Sequence, residues 1–314
     1  MAGITGQGTT FNLPNYVGDL FAVTPTDTPF LSLIGGLTGG KRAKSTDFEW
    51  QGYDLRAAGQ NVALEGANAP TAQSRVRFNV SNVVQVHQEV VEVSYTKLAA
   101  SGAFSGVNNG QAGLGQDELD WQIEQTLKHM ARDVEFSFIQ GTFAKPADNL
   151  TPRKTRGIMA AIVTNIVTSG VPEAITKAKV DDLLQKVWDN GGIKETETAT
   201  LMANSKQKRA LTAAYATSGN YQETSRNVAG LRLTTIQTDF GVLNLMLNRY
   251  MPVAEVAVVS AEQCSPVLME VPDKGFLFAE PLAKIGSAER VQVYGEVGLE
   301  YGNERAHGKI TNLL

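Results

Sequence analysis

Residues 116–140 read QDELDWQIEQTLKHMARDVEFSFIQ, and they form the clearest helical pattern in the chain. Apolar side chains recur there at spacings of three and four, the period of one helix face: Leu119, Ile123, Leu127, Ala131, Val134 and Phe138. The acidic residues Asp117, Glu118 and Asp120 lie in the first turn, where the helix dipole favours carboxylates. Gly141 ends the pattern, and a helix of this extent is on the order of 35 to 40 Å long. Such a helix can serve as the backbone of the whole subunit.

Upstream of this helix the pattern changes to that of a long β-hairpin. Strand-like residues occur at 48–50 on one side, and at 75–80 and 83–93 on the other. Between them, residues 56–71 contain small and polar residues and two glycines, which indicates a flexible tip. Because a two-stranded ribbon is only marginally stable alone, we expect a protruding hairpin to pack against another subunit.

The segments outside the hairpin and the long helix predict an arm and a compact α+β domain. Residues 1–40 are rich in Thr, Gly and Pro, with one apolar run, Phe30 to Ile34, as a short anchored element. Further on, the patterns predict helices at 179–190 and 205–216, the second capped by Ser205, and strands at 199–203, 231–238, 242–248, 253–259 and 267–271. The last segment alternates, and the residues expected on its buried face are Val291, Val293, Val297, Leu299 and Tyr301.

Composition narrows the class of protein. The chain has 314 residues, of which 42% are hydrophobic, enough for a sizeable core. Charged residues make up 19%, below the roughly one quarter typical of soluble proteins, which indicates surface that faces other protein. With a net charge of -4, the chain lacks the excess of basic residues that is typical of a protein that wraps DNA through its phosphates. A single cysteine excludes an internal disulfide framework, and we expect neither a signal peptide nor a membrane span.

Motifs for catalysis, cofactors and metals are weak. Residues 35–41, GGLTGGK, fit part of a phosphate-binding loop, but Arg42 stands where the magnesium-binding Ser or Thr should be. We therefore expect a glycine-rich turn there. His87, His129 and His307 lie in different segments without metal-site spacing, so we expect each to be solvated or packed. The residues around Cys264 show no positive charge or helix start that would activate its thiol, so we expect a buried, inert thiol. These patterns predict no catalytic, cofactor-binding or metal-binding residue, and hence no enzyme.

The order of arm, long hairpin, long helix, α+β domain and closing strands resembles the major capsid fold of tailed bacteriophages, the Hong Kong ninety-seven type. Several local segments are also similar to one subfamily of these capsid proteins: Thr28 to Gly35, Glu49 to Gln51, Glu65-Gly66, Val80 to Val86, Arg132 to Glu135, Phe138 to Gly141 and Thr155 to Ile158. The resemblance covers nearly the whole chain. It depends on the combination of these segments in this order.

The resemblance implies an α+β phage capsid fold with defined parts: an N-terminal arm at 1–44, an extended loop (E-loop) at 45–95, a peripheral domain at 96–156 with a spine helix at 116–140, an axial domain at 157–281, and a peripheral return at 282–314. It further implies a protein that assembles through pentamers and hexamers into an icosahedral-type shell around the double-stranded DNA of a tailed phage. Assembly would occur in the host bacterial cytoplasm, and the virion would be the final location.

The same resemblance implies the partners and the contact residues. E-loops would lie over neighbouring subunits, and we expect contacts at the tip residues Arg56, Gly59, Gln60, Asn61 and Glu65. The short arm leaves no room for a fused scaffold, which implies a separate scaffold protein beside a portal; a decoration protein stays open as a further partner. The packaged DNA would be held without sequence-specific binding. Because no lysine lies between Lys44 and Lys97, we expect no isopeptide link from the E-loop to a neighbour.

Two other functions stay open at this point. The first is the shell of a cellular nanocompartment, which has a similar fold but encloses an enzyme cargo instead of DNA. The second is a soluble α+β enzyme with an unrecognised site. Particle contents distinguish the phage shell from the compartment, and a monomer in solution would favour the enzyme.

Overall fold

The computed structural model describes residues 26–100, 118–148, 150–192, 199–217, 224–228 and 231–314. The chain divides into two compact units. Of the described residues, the first contains 26–27, 87–100, 118–133 and 277–295. The second contains 28–86, 134–148, 150–192, 199–217, 224–228, 231–276 and 296–314.

The described residues form both helices and strands. The helices are α1 (Pro29–Leu33), α2 (Tyr95–Ala100), α3 (Glu118–Gln140), α4 (Ile158–Ala161), α5 (Lys177–Asp189) and α6 (Ser205–Thr217). The strands are β1 (Lys41–Ala43), β2 (Asp47–Tyr53), β3 (Arg77–Val83), β4 (Gln85–Ser94), β5 (Ile166–Glu173), β6 (Ala199–Ala203), β7 (Thr224–Val228), β8 (Leu231–Thr238), β9 (Gly241–Leu247), β10 (Val256–Val259), β11 (Ser265–Met269), β12 (Leu277–Pro281), β13 (Ala288–Glu300) and β14 (Gly308–Leu313).

The predicted long helix is present as α3, and residues 116 and 117 lie outside the described residues. Its predicted apolar face is only partly buried: Val134 and Phe138 are inaccessible, while Ile123 and Leu127 are half-buried. Glu135 is fully buried as well, although it lies outside the predicted apolar face. The apolar period therefore predicts the helix correctly but not the extent of its buried surface.

The first unit contains β4 from His87 onward, β12, and β13 as far as Gly295. β12 pairs antiparallel with β13, from Leu277 opposite Gly295 to Pro281 opposite Val291, and β4 also pairs with β13. Alternate residues of β13 are buried in the order that the sequence predicts, with Val293 fully inaccessible. The backbone N–H of Tyr95, at the start of α2, donates to the carbonyl oxygen of Ser287 at 3.0 Å.

The second unit is built on a seven-stranded sheet in the order β5-β14-β10-β6-β9-β8-β7. Helices α5 and α6 pack their apolar residues into one cluster with the sheet: Val180, Leu183, Leu184, Val187, Leu211, Tyr215, Leu201, Leu245, Val256, Val258 and Ile310, among others. Each large apolar side chain buried in this way contributes about 1.5 to 3 kcal/mol to stability. This cluster is the main core of the unit.

One predicted helix cap is wrong by a single residue. The N–H of Gln207 donates to the side-chain oxygen of Asn204 at 2.9 Å, so Asn204 and not Ser205 caps α6. Asn is as good a cap as Ser, because its side-chain oxygen reaches the same free N–H groups of the first turn. Ser205 itself is exposed as the first helical residue.

Candidate assembly surface

The predicted hairpin is present as a two-stranded antiparallel ribbon of β2 and β3, with Asp47 opposite Val83, Trp50 opposite Val80 and Tyr53 opposite Arg77. We call residues 47–83 the hairpin. Its returning strand ends at Val83, and residues 85–94 form the separate strand β4. This corrects the expectation that residues 83–93 continue the hairpin. Val83 and Val84 are both buried, so the alternation of a free ribbon is already broken at this point.

The outer part of the hairpin has no core of its own. Every residue from Tyr53 to Asn79 is exposed, and residues 54–76 contain a single turn, closed by a hydrogen bond from the Ala67 N–H to the Leu64 carbonyl oxygen at 3.1 Å. Several of the exposed side chains are apolar: Tyr53, Leu55, Val62, Leu64, Val76 and Phe78. Leu64 is 85% exposed. The subunit therefore presents apolar surface on a segment that contributes nothing to its own interior.

The five residues predicted as contacts, Arg56, Gly59, Gln60, Asn61 and Glu65, all lie on this exposed segment. The Arg56 guanidinium donates to the carbonyl oxygen of the adjacent Ala57 at 3.3 Å. Within the described part of the chain, neither Arg56 nor Glu65 takes part in an ion pair. The structure thus places the five residues on one exposed loop, where the Arg56 guanidinium lies 3.8 Å from the position of a Cβ added at Gly59.

The base of the hairpin, in contrast, is firmly attached. The indole Nε1–H of Trp50 donates to the carbonyl oxygen of Gly302 at 2.7 Å. Its ring meets the Tyr301 ring edge to face, with 4.9 Å between the ring centroids. Gly298 lies under the neighbouring Phe48 ring, where an added Cβ would come within 2.6 Å of that ring. The aromatic side chains of β2 therefore rest on the end of β13.

The returning strand is fixed by one buried amide. The Asn82 side-chain nitrogen donates to the carbonyl oxygens of Leu299 at 2.7 Å and Arg156 at 3.2 Å. Its side-chain oxygen accepts from the N–H groups of Val83 at 2.9 Å and Arg156 at 2.8 Å. An ion pair between Lys145 and Asp47, at 2.6 Å, lies at the start of β2. Since all the hydrogen-bonding capacity of the buried Asn82 amide is used, it specifies where the hairpin leaves the subunit.

Beneath Trp50, the turn between β13 and β14 is closed by His307. The Ser260 N–H donates to His307 Nδ1 at 3.1 Å, so the proton of the neutral ring is on Nε2, which donates to the Tyr301 carbonyl oxygen at 2.7 Å. Burial lowers the pKa of His307 to about 4, while the hydrogen bond to the Tyr301 carbonyl and the charge of Glu304 oppose the shift. The ring is therefore neutral at pH 7, and of the two interpretations left open by the sequence, solvated or packed, His307 is the packed residue.

The predicted anchored element of the arm is α1, and a carboxylate holds it. The buried Glu135 side chain accepts from the backbone N–H groups of Phe30 at 2.9 Å and Leu31 at 2.6 Å. The same carboxylate accepts from the Asn248 side-chain amide at 2.5 Å. A carboxylate bound to the free N–H groups of a helix start is stabilised by hydrogen bonds and by the local dipole.

The weak sequence motifs have structural roles. Residues 34–38 form turns and Lys41 begins β1, as expected of a glycine-rich turn. Cys264 is buried, and burial raises the pKa of its thiol well above the usual range. Among the residues that the structure describes, no group of His, Cys, Asp and Glu side chains is arranged to hold a metal ion. Likewise, no helix in the described ranges is long and apolar enough to cross a bilayer.

Comparison with known proteins assigns the chain to a family. The model of the SU10 major capsid protein family matches residues 3–314. The chain belongs to the SU10 major capsid protein family. The chain is similar in sequence to the major capsid protein of Escherichia phage Phieco32, with 31% identity over 136 residues. These residues cover 43% of this chain and 34% of that protein. The match thus spans about a third of the relative's length.

Solved structures share the fold of this SU10-family chain. The capsid of cyanophage A-1(L) covers 96% of it, with 97% of that chain aligned, a TM-score of 0.66 and 12% identity. The SrpI encapsulin of Synechococcus elongatus PCC 7942 covers 96%, with 92% of that chain aligned, a TM-score of 0.60 and 14% identity. These identities establish the fold alone. With the family they confirm the predicted α+β phage capsid fold and the prediction of a phage major capsid protein.

Proposed function

We propose that copies of this chain assemble into an icosahedral-type shell that encloses the double-stranded DNA of a tailed phage. Membership of a major capsid protein family supports this proposal. The structural observation that carries it is the hairpin, whose residues from Tyr53 to Asn79 are all exposed although several are large and apolar. Exposed apolar surface on a thin ribbon is explained when the ribbon packs on another protein.

The partner of the hairpin, in this proposal, is a second copy of the chain. The hairpin of one subunit would lie over its neighbour, with Arg56, Gly59, Gln60, Asn61 and Glu65 among the contacting residues. Leu55, Val62 and Leu64 would supply the buried apolar area, since exposed charge pairs contribute only about 0 to 1 kcal/mol each. Pentamers and hexamers would repeat this contact around the shell, so many small contributions sum to a stable particle.

The remaining partners follow from the same proposal. A separate scaffold protein would guide assembly in the bacterial cytoplasm, and a portal would occupy one vertex; a decoration protein is a further candidate. DNA inside the shell would meet a subunit of net charge -4, which disfavours binding through many phosphate contacts. Packaged DNA would therefore be held by enclosure and not by recognition of its sequence.

The test is to express the chain with its phage scaffold and examine the purified particles by electron microscopy and nucleic-acid analysis. Closed shells that contain DNA after packaging are expected. Shells that instead retain a co-purifying enzyme would favour the compartment function, for which the encapsulin-like fold is the supporting observation. A chain that stays monomeric under every assembly condition would contradict both shell functions.

A further inference from the structure

The turn that supports the hairpin is itself closed by a side chain. Residues 301–307 connect β13 to β14, and His307 Nε2–H reaches back across this turn to the Tyr301 carbonyl oxygen at 2.7 Å. Tyr301 is 2% exposed and His307 is fully buried. The turn carries both groups that receive Trp50: the Tyr301 ring and the Gly302 carbonyl oxygen.

Other contacts also hold this turn in its conformation. Gly302 has a φ of 61°, and a Cβ at this position would come within 2.9 Å of the Gln263 side chain. The Gln263 side-chain oxygen accepts from the Asn303 N–H at 3.1 Å. On the far side, the Asn165 amide donates to the carbonyl oxygens of Arg305 at 2.8 Å and His307 at 2.9 Å. The turn is thus held at its end and its middle, and His307 is the side chain that joins its end to its start.

His307 also joins this turn to the seven-stranded sheet. The Ser260 N–H, directly after β10, donates to His307 Nδ1 at 3.1 Å. A continuous series of contacts therefore runs from the sheet through Ser260 and His307 to Tyr301, and from there to Trp50 at the hairpin base. Each of these contacts lies within the second unit.

We propose that His307 is the positioning residue of the hairpin: by closing the turn 301–307 it holds the surface on which Trp50 rests, and so fixes the direction in which the hairpin leaves the subunit. The inference rests on the proposed function, because a fixed direction matters only if the hairpin must meet a neighbour. His307 touches no partner itself in this proposal and acts through Tyr301 and Gly302.

The surroundings of the imidazole make its protonation a usable probe. Glu304, on the same turn, is the charged group whose field acts on the ring. β10 contributes only the apolar residues Val256 to Val259, and α5 packs Leu183 and Val187 against the neighbouring Gly308. Arg156 contacts Tyr301 through the tyrosine hydroxyl at 3.0 Å, and the side chain from the β5 end, Asn165, is neutral. Protonation of Nδ1 would set two donors, its own N–H and that of Ser260, against each other.

Two substitutions separate the contacts of His307. Gln in place of His can place an amide donor near the Nε2 position and keep the bond to Tyr301, whereas Asn can place an acceptor near Nδ1 and keep only the bond to Ser260. Each variant loses one buried hydrogen bond, so a purely structural role predicts similar effects. A positioning role through Tyr301 predicts that His307→Gln is close to native and that His307→Asn is not.

The readout is hydrogen exchange of the Trp50 indole N–H in the full-length subunit, with the Trp188 indole as an internal reference. We expect exchange about tenfold faster in His307→Asn and little changed in His307→Gln. Shells should form from His307→Gln and be depleted in His307→Asn. Equal Trp50 exchange in the two variants would overturn the proposal.

Acid titration of the unmodified subunit gives a second measurement should either variant fail to fold. Exchange of the Trp50 indole, relative to that of Trp188, should rise with the midpoint at which the His307 ring resonance titrates. A ratio that stays constant through that midpoint would also overturn the proposal. Faster exchange of the Trp50 indole together with normal shells would refute the positioning role and leave the shell function intact. Absence of shells from the native chain would refute the shell function.

Discussion

Trp50 and Gly302 are 252 residues apart in sequence and are joined by a 2.7 Å hydrogen bond from the indole nitrogen to the backbone carbonyl. This bond attaches a ribbon with an exposed outer part to the turn that follows β13. The substitution Trp50→Phe keeps an aromatic ring against Tyr301 but removes the donor. We expect a stability loss of about 1 to 2 kcal/mol by urea unfolding, with the fold retained. Trp188→Phe, at a 43% exposed position, is the matched control and should change little.

Substitution of Asn82 should lower the free energy of unfolding more than Trp50→Phe does, because the buried Asn82 amide makes four hydrogen bonds. Asn82→Ala leaves the Arg156 N–H and the Leu299 carbonyl oxygen without these partners. A loss of about 3 kcal/mol in the free energy of unfolding is expected. Asn79→Ala, on the exposed part of the same strand, should stay within about 0.5 kcal/mol. Similar losses for the two variants would show that the buried amide has no special role.

Stability should depend on pH through His307. Its pKa is lowered to about 4 in the folded chain from 6.5, so between these values the unfolded chain binds a proton that the folded chain does not. The contribution of His307 to the free energy of unfolding is therefore fully present above pH 6.5, and it falls by about 3 kcal/mol as the pH drops to 4. His87 also has a pKa lowered by burial and adds to the slope. Urea titrations of the native chain and His307→Gln should differ in slope between pH 4 and 6.5; parallel curves would contradict this assignment.

Removal of the hairpin tip should separate folding from assembly. Deletion of residues 57–69 removes only exposed residues, so circular dichroism of the variant should match that of the native subunit. Particles should fail to form on size exclusion. A replacement of the same thirteen residues by a Gly/Ser linker of equal length is the control for loop length and should fail as well. Normal shells from either variant would refute the proposed role of the tip.

Mature shells should carry no covalent links between subunits. The chain lacks lysine from Ser45 to Thr96, and the arginines of this segment stay protonated and cannot act as amine nucleophiles. Cys264 is buried with a raised thiol pKa, which disfavours disulfide exchange. Boiled, unreduced particles should give one band near 33.7 kDa on denaturing electrophoresis. A ladder of pentamer-sized and hexamer-sized species would contradict this prediction.

The periodic features of the fold can be predicted from the sequence, and the long-range polar contacts cannot. The period of α3 and the alternation of β13 are local signals, which neighbouring residues along the chain carry by themselves. Asn82 in a strand resembles any polar strand residue until Arg156 and Leu299, 74 and 217 positions away, come into contact with it. His307 depends in the same way on Ser260, which is 47 residues distant. No local pattern marks a side chain whose partners are set by tertiary packing.

Glu135 illustrates a consequence for the order of folding. Its carboxylate binds Phe30 and Leu31 across 105 and 104 residues and Asn248 across 113. Contacts of such sequence separation carry a large loop-closure cost and form late in folding. Docking of α1 would then be slower than formation of α3 itself, since the clamp is complete only after the region around Asn248 has reached the helix. Until that step α1 stays unattached, so the folding of a newly made subunit would include a kinetic delay that is set by long-range closure and not by helix formation.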